Sequence, residues 1–246
     1  ATTIATIPTT FRSAKVLVML EDSSDNYTGN ELNIIHDGSD VSILEYGSIA
    51  DSSSSHFVGF GTFDANIVGG NIIVNYTSNA SSTLTANTQV VSISDSETGI
   101  GTISLDIGRL RSSYVSIPVS GAGLANTITS FNLPYQSGYY FVTVKDTTNN
   151  VYESFEIAAI DSGSETEELF VEFANVSTGS SIGQVGISTA GTSKLDIVYT
   201  PNSSTAVEVR TFGFELQIFD EEDHVMRCLK RYLNRIPKTT ENVRKG

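Results

Sequence analysis

Apolar and polar residues alternate along most of this chain in short runs, the pattern of strands with one buried face. Residues 41–47 alternate at period two and predict a strand. The Asp37-Gly38 pair before them and the Gly69-Gly70 pair further on are dipeptides typical of β-hairpin turns, because glycine accepts a positive φ at little cost. The sequence therefore predicts an all-β fold of antiparallel strands.

The stretch at 31–49, ELNIIHDGSDVSILEYGSI, has a diverged second copy at 155–176. In this pairing Glu31 corresponds to Glu156 and Gly38 to Gly163. The likeness extends upstream and downstream of both copies, and a repeat of this length indicates a domain duplication rather than a solenoid. We expect two tandem duplicated antiparallel β-sandwich modules. Their predicted bounds are 1–95 and 124–219, with a bridging hairpin at 96–123.

The pattern changes at Asp220, where a short C-terminal α-helix and tail are predicted over 220–246. Acidic residues open this segment, basic residues follow, and Pro237 ends the helix, as the helix dipole favours. Five large residues recur at helical spacing and are the predicted protein interface: Val225, Leu229, Tyr232, Leu233 and Ile236. This face could pack on its own second module or on a neighbouring subunit. We favour the neighbour, because both modules look complete without a helix.

Charge is distributed unevenly between the body and the C-terminal segment. Residues 1–219 hold 7 of the 14 Lys+Arg and 23 of the 28 Asp+Glu, and 220–246 hold 7 and 5, so the two nets, −16 and +2, sum to −14. An acidic body repels phosphate backbones, which argues against a nucleic-acid partner. Arg109 and Arg111 are interpreted as solvated turn charges or local partners of Asp106, in preference to a functional basic spot. No apolar run reaches the roughly 18 residues of a membrane span, so no membrane insertion is expected.

Candidate chemistry is sparse. The G-x-S-x-G pattern at 179–183 lacks the following helix that exposes a hydrolase nucleophile. His224 and Cys228 could supply two zinc ligands, whereas a structural zinc takes four. The acidic loops at 22–26 and 165–168 lack the ligand order of a calcium loop. The single cysteine allows no intramolecular disulfide. The sequence thus predicts no enzyme activity, no cofactor and no metal.

Three segments carry a family resemblance: IIHDG at 34–38, ILEYG at 43–47 and GTFDANIVGGNIIVNYT at 61–77. Together they resemble a β module of virion structural proteins of tailed phages, especially phages that infect marine cyanobacteria. The likeness covers the first module well, covers the second only through its copy, and does not cover the C-terminal helix. It implies a tail, appendage or capsid-surface component that is made in the host cytoplasm and resides in the virion. Homo-oligomerisation and contacts with other virion proteins are then expected.

The alternative is a surface-binding module, such as an adhesin or a receptor- or carbohydrate-binding protein. The absence of Trp argues against it, since aromatic platforms commonly bind sugars. Four tyrosines could serve instead: Tyr114, Tyr135, Tyr139 and Tyr140.

Overall fold

The computed structural model describes residues 1–23, 26–50, 61–79, 83–94, 101–105, 108–132, 135–161, 169–189, 194–202 and 204–217. Apart from one 3-10 turn at Val119–Gly121, the regular elements in these ranges are β-strands, so the predicted all-β class is confirmed. The predicted C-terminal helix lies outside the described residues. Within them, no helix is long and apolar enough to cross a membrane.

Among the described residues, seven strands form the first half of the fold. They are β1 (Thr2–Pro8), β2 (Phe11–Asp22), β3 (Tyr27–His36), β4 (Val41–Ala50), β5 (Gly61–Val68), β6 (Asn71–Ser78) and β7 (Leu84–Ser94). They make a four-stranded sheet in the order β4-β3-β2-β7 and a three-stranded sheet in the order β1-β6-β5, with antiparallel pairing throughout. Both turns predicted from glycine-containing dipeptides are present: Gly38 links β3 to β4 at φ 110°, and Gly69 and Gly70 link β5 to β6 at φ 59° and 80°.

The second half has nine strands within the described ranges. They are β8 (Gly101–Leu105), β9 (Gly108–Ile117), β10 (Asn126–Asn132), β11 (Tyr135–Asp146), β12 (Tyr152–Ile160), β13 (Leu169–Ser177), β14 (Gly183–Thr189), β15 (Lys194–Pro201) and β16 (Val207–Gln217). The larger sheet has the order β13-β12-β11-β16-β9-β8, and the smaller one has the order β10-β15-β14. The β8–β9 hairpin extends the larger sheet because β9 pairs with β16.

Each half has its own apolar core between its two sheets, a β-sandwich-like arrangement. In the first half, Val16 and Val18 of β2 pack with Val74 of β6. In the second, Tyr140 of β11 packs with Tyr199 of β15. The core side chains come from alternate positions of each strand, so the opposite face of each large sheet is left to meet something else.

The two halves have the same strand order when β1 to β7 are matched in turn with β10 to β16. Register shifts also fall at matching places. One occurs between Thr3 and Ala5 of β1, and another between Thr127 and Thr129 of β10, 124 positions later in each case. A second such pair occurs at Phe11/Ser13 and Tyr135/Ser137.

Candidate functional site

The outer faces of the two large sheets pack on each other, so the four sheets stack in layers. The centre of this contact is polar and buried. Ser13 of β2 bonds Thr143 of β11, Asn33 Nδ2 of β3 donates to the Ala174 carbonyl at 2.7 Å, and Ser154 Oγ of β12 donates to Asn33 Oδ1 at 3.3 Å. The side chains of Ser13, Asn33, Thr143 and Ser154 are all buried. Directional hydrogen bonds therefore join the halves at this centre, and a small apolar cluster of Ile35, Tyr152 and Val176 joins them beside it.

An ion cluster lies beside these bonds. Lys15 Nζ lies 2.9 Å from Glu156 Oε2 and 2.8 Å from Glu31 Oε2, and it donates to the Tyr139 hydroxyl at 2.7 Å. Tyr46 donates its hydroxyl to the other oxygen of Glu156. The Glu156 side chain is wholly buried and the Lys15 side chain is 14% exposed. The cluster thus joins β2, β3 and β4 of the first half to β11 and β12 of the second.

The contacts within the cluster favour the charged forms of Lys15 and Glu31 and the neutral form of Tyr46. Burial alone lowers the pKa of Lys15, but hydrogen bonds with Glu31, Tyr46 and Glu156 outweigh it and raise that pKa well above its usual value. Burial raises the pKa of Glu31, and hydrogen bonds from Lys15 and Tyr46 more than reverse this, so the net shift is downward. Burial and the Glu156 bond raise the pKa of Tyr46. A charged lysine whose three N–H groups all have acceptors is a clamp rather than a nucleophile or base.

A second buried carboxylate, Glu215 of β16, ties three strands together. Arg109 of β9 pairs with it, Arg111 NH1 lies 3.6 Å from its Oε1, and the Tyr140 hydroxyl donates to Oε1 at 2.7 Å. Interpretation of Arg109 and Arg111 as solvated turn charges is wrong, since their side chains are only 18% and 23% exposed. Sequence reasoning missed the pair because the β9–β16 register, which places Arg109 opposite Glu215, spans 106 positions.

A third buried carboxylate, Glu153 of β12, binds the smaller sheet of the second half through β15 and the residues just before β14. It accepts hydrogen bonds from the Tyr199 hydroxyl at 3.1 Å, Ser181 Oγ at 3.1 Å and the Ile182 backbone N–H at 3.3 Å. Ser181 is the serine of the G-x-S-x-G pattern, and β14 rather than a helix follows it. Its hydroxyl is thereby engaged in structure. His36, also buried, lies within hydrogen-bond distance of the Phe11 carbonyl.

The four tyrosines considered for sugar binding do not form one exposed platform. Tyr140 is fully buried. Tyr135 lies under Arg109 and Tyr114 under Arg210, at 4.0 and 4.9 Å from ring centroid to guanidinium carbon. Tyr139 borders an open surface, where it stacks on Phe214 at a ring-centroid distance of 5.2 Å.

That open surface is a groove of about 470 Å³ between the outer faces of the two large sheets. Four partly exposed apolar side chains line it: Leu17 (40%), Val91 (39%), Phe212 (37%) and Phe214 (41%). Lys15, Glu31 and Tyr139 close its inner end. Leu17 and Glu31 also border a second hollow of about 440 Å³ on the first half, where Ile49 is 78% exposed. The halves therefore meet along one side of their large sheets and leave an apolar cleft along the other.

The predicted interface residues Val225, Leu229, Tyr232, Leu233 and Ile236 lie outside the described residues, as do His224 and Cys228. No cluster of three or more His, Cys, Asp and Glu side chains able to hold a metal occurs in the described ranges. What the described contacts do chemically is hold strands and halves together. Comparison of the chain with protein-family models, curated proteins and solved structures gives no match.

Proposed function

We propose that this chain is a non-enzymatic structural protein of a tailed-phage virion, in the tail, an appendage or the capsid surface. The observation that carries the proposal is the use of its buried charges. Glu153, Glu156 and Glu215 are each wholly or almost wholly buried, and each is bonded to neighbouring strands or to the other half. Acid–base catalysis needs such groups to face a substrate, whereas here they stabilise architecture. The sequence resemblance to virion proteins points the same way.

We also infer that the two halves are tandem β-sandwich modules produced by duplication. Their shared strand order and matching register shifts support this. A further likeness is the glycine that faces each core tyrosine. A Cβ on Gly61 would lie 2.7 Å from the Tyr76 ring, and a Cβ on Gly183 would lie 2.7 Å from the Tyr199 ring. Both glycines begin an edge strand, and both make room for a tyrosine ring from the next strand.

Assembly in the virion would use surfaces that the fold leaves open. The edge strand β13 exposes Leu169 (69%) and Val171 (57%), and its outer backbone groups face no further strand among those described. Such an edge can pair with another chain. We therefore propose that the protein forms homo-oligomers and contacts other virion proteins, after synthesis in the host cytoplasm. Its acidic body disfavours nucleic acid as a partner.

The second candidate is a surface-binding module. The groove favours it, because Tyr139, Phe212 and Phe214 place three aromatic rings at one opening. Aromatic rings beside a polar rim are common in sites for small organic ligands and sugars.

Mass spectrometry of purified particles, combined with light scattering of the purified chain, tests the choice. We expect the chain in particles at a fixed copy number and an oligomer in solution. A monomer that is absent from particles but retained on a glycan surface would contradict the virion proposal and support the binding module. Hydrolysis of host polysaccharide, abolished by one carboxylate substitution, would contradict the non-enzymatic proposal.

A further inference from the structure

We propose that residues 220–236 of the chain dock into the groove between the two halves of the same molecule. The five apolar side chains at helical spacing would then cover Leu17, Val91, Phe212 and Phe214. This inference goes beyond the virion role, because it concerns the isolated chain. It also assigns the apolar face a partner different from the neighbouring subunit that the sequence favours.

The position of β16 is the first argument. Phe212 and Phe214 of β16 line the groove, and the strand ends at Gln217. Only residues 218 and 219 separate that strand from Asp220. Connections of two to six residues between a strand and a helix that packs on the same sheet are common. The segment therefore starts at the groove and needs no long linker to enter it.

The dimensions also fit. A helix over the 17 residues 220–236 would be about 25 Å long. The 11 residues of β16 extend over about 37 Å. A helix that reverses direction after Gln217 and runs back over β16 thus stays above the sheet.

Apolar complementarity is the second argument. Four large apolar side chains exposed by 37 to 41% around one cleft form a patch that soluble proteins usually cover. The segment offers five large side chains on one face. Burial of both surfaces removes apolar area from water, which is the main favourable term in such docking.

Charge supports this placement in its overall sign. Residues 1–219, which include the groove, carry a net charge of −16, and residues 220–246 carry a net charge of +2. The segment and the body that would receive it therefore attract each other.

The tether favours the same molecule over a second copy. A segment joined to its site by a very short linker has an effective concentration in the millimolar range. A copy that is not already assembled with this chain, at micromolar concentration, would have to bind about a thousandfold more tightly to displace it. The groove is thus expected to hold the chain's own segment in solution.

The test uses the full chain and its single native cysteine. Val91→Cys places a thiol in the groove. The matched control is Val68→Cys, which replaces another exposed valine on β5, in the smaller sheet of the first half. Each variant is treated with a bifunctional maleimide of short flexible spacer, and products are identified by denaturing electrophoresis and peptide mass spectrometry. We expect a crosslink from position 91 to Cys228 within one chain, at a yield independent of protein concentration, and none from position 68. A crosslink that joins two chains, or a yield from 91 no higher than from 68, would overturn the proposal.

A second measurement does not depend on crosslinker geometry. In the Val91→Cys chain, maleimide labelling at position 91 is compared with and without the added pair Leu229→Asp and Leu233→Asp. We expect the polar pair to speed labelling by about tenfold or more, the factor set by a docking equilibrium constant of about 10. Labelling at position 68 should not change. Equal rates at position 91 in the two backgrounds would show that the segment does not cover the groove. Neither measurement involves particles, so the virion role can fail or hold separately.

Discussion

Tyr76 and Tyr199 lie at matching ladder positions on β6 and β15, yet within the described ranges only the Tyr199 hydroxyl has a hydrogen-bond partner. Tyr199 is fully buried and bonds Glu153 at 3.1 Å. The Tyr76 hydroxyl is buried, and within the described part of the chain no group accepts or donates to it. Burial, with a contribution from Glu45, raises the pKa of Tyr76 to about 12. Tyr199→Phe therefore removes a hydroxyl that is hydrogen-bonded to Glu153, whereas Tyr76→Phe removes one that is bonded to no described residue.

The magnitudes follow from those surroundings. Tyr199→Phe removes one donor to Glu153 and leaves Asn175, Ser181 and the Ile182 N–H, so the carboxyl group keeps partners. Loss of a buried hydrogen bond to an acidic group costs about 1.5–3 kcal/mol of the free energy of unfolding. Tyr76→Phe removes a buried hydroxyl to which no described residue is hydrogen-bonded. We expect that change to be neutral or to stabilise by up to about 1 kcal/mol.

Urea unfolding, followed by far-UV circular dichroism and tyrosine fluorescence, measures both variants against the parent chain. The two halves are fitted as separate transitions if two appear, and the free-energy differences come from midpoints at a common slope. In a thermal scan, each kcal/mol of lost stability lowers the melting temperature by about 2–4 °C if the whole chain unfolds as one unit. Equal losses in the two variants, or a larger loss at Tyr76, would refute the reasoning, because the hydroxyls would then have equivalent partners.

Three further predictions concern the contact between the halves and the second core. Lys15→Met should lower the free energy of unfolding by about 3–5 kcal/mol, because Glu156 would stay buried without its cation. The double variant Lys15→Met/Glu156→Gln should regain part of that lost free energy. Calorimetry measures the stability of the single and the double variant. The folded-state pKa of Glu31 is lowered and that of Lys15 is raised. The stability that Glu31 contributes should therefore be lost as pH falls below about 4.5, and that of Lys15 as pH rises above about 10.5. In a plot of melting temperature against pH, Lys15→Met should flatten both the acid and the alkaline decline. Declines as steep as those of the parent chain would contradict this. Gly183→Ala should cost about 1–3 kcal/mol, since its Cβ would lie 2.6 Å from the Thr200 carbonyl oxygen, whereas Gly186→Ala, with its nearest contact at 3.7 Å, should cost little in the same denaturant assay.

Local chemistry is what the sequence predicts well. The alternation at 41–47 lies within β4, and the Asp-Gly pair at 37–38 and the Gly-Gly pair at 69–70 mark turns that the structure contains. These features depend on neighbours within a few positions, where side-chain period and φ preference act directly. The all-β class follows from them.

Long-range placement is what the sequence does not predict. Ser13, Asn33 and Ser154 lie on the polar face of their strands, which alternation alone interprets as solvent-facing. In the structure that face is buried against the other half. The groove depends on the same packing, because its walls come from both halves. No local pattern encodes where two sheets meet.

The polar contact between the halves has a consequence for folding during synthesis. Each described ladder joins strands of one half only, and the first half is complete by Ser94. N-terminal domains generally fold as units while the ribosome is still extending the chain. The first half would then expose Ser13 and Asn33, together with the apolar Ile35, until the second half is made. Hydroxyl and amide groups are well hydrated in that interval, so they limit the apolar area that could drive aggregation. A contact with a polar centre therefore leaves less apolar surface open on each half before the two halves meet.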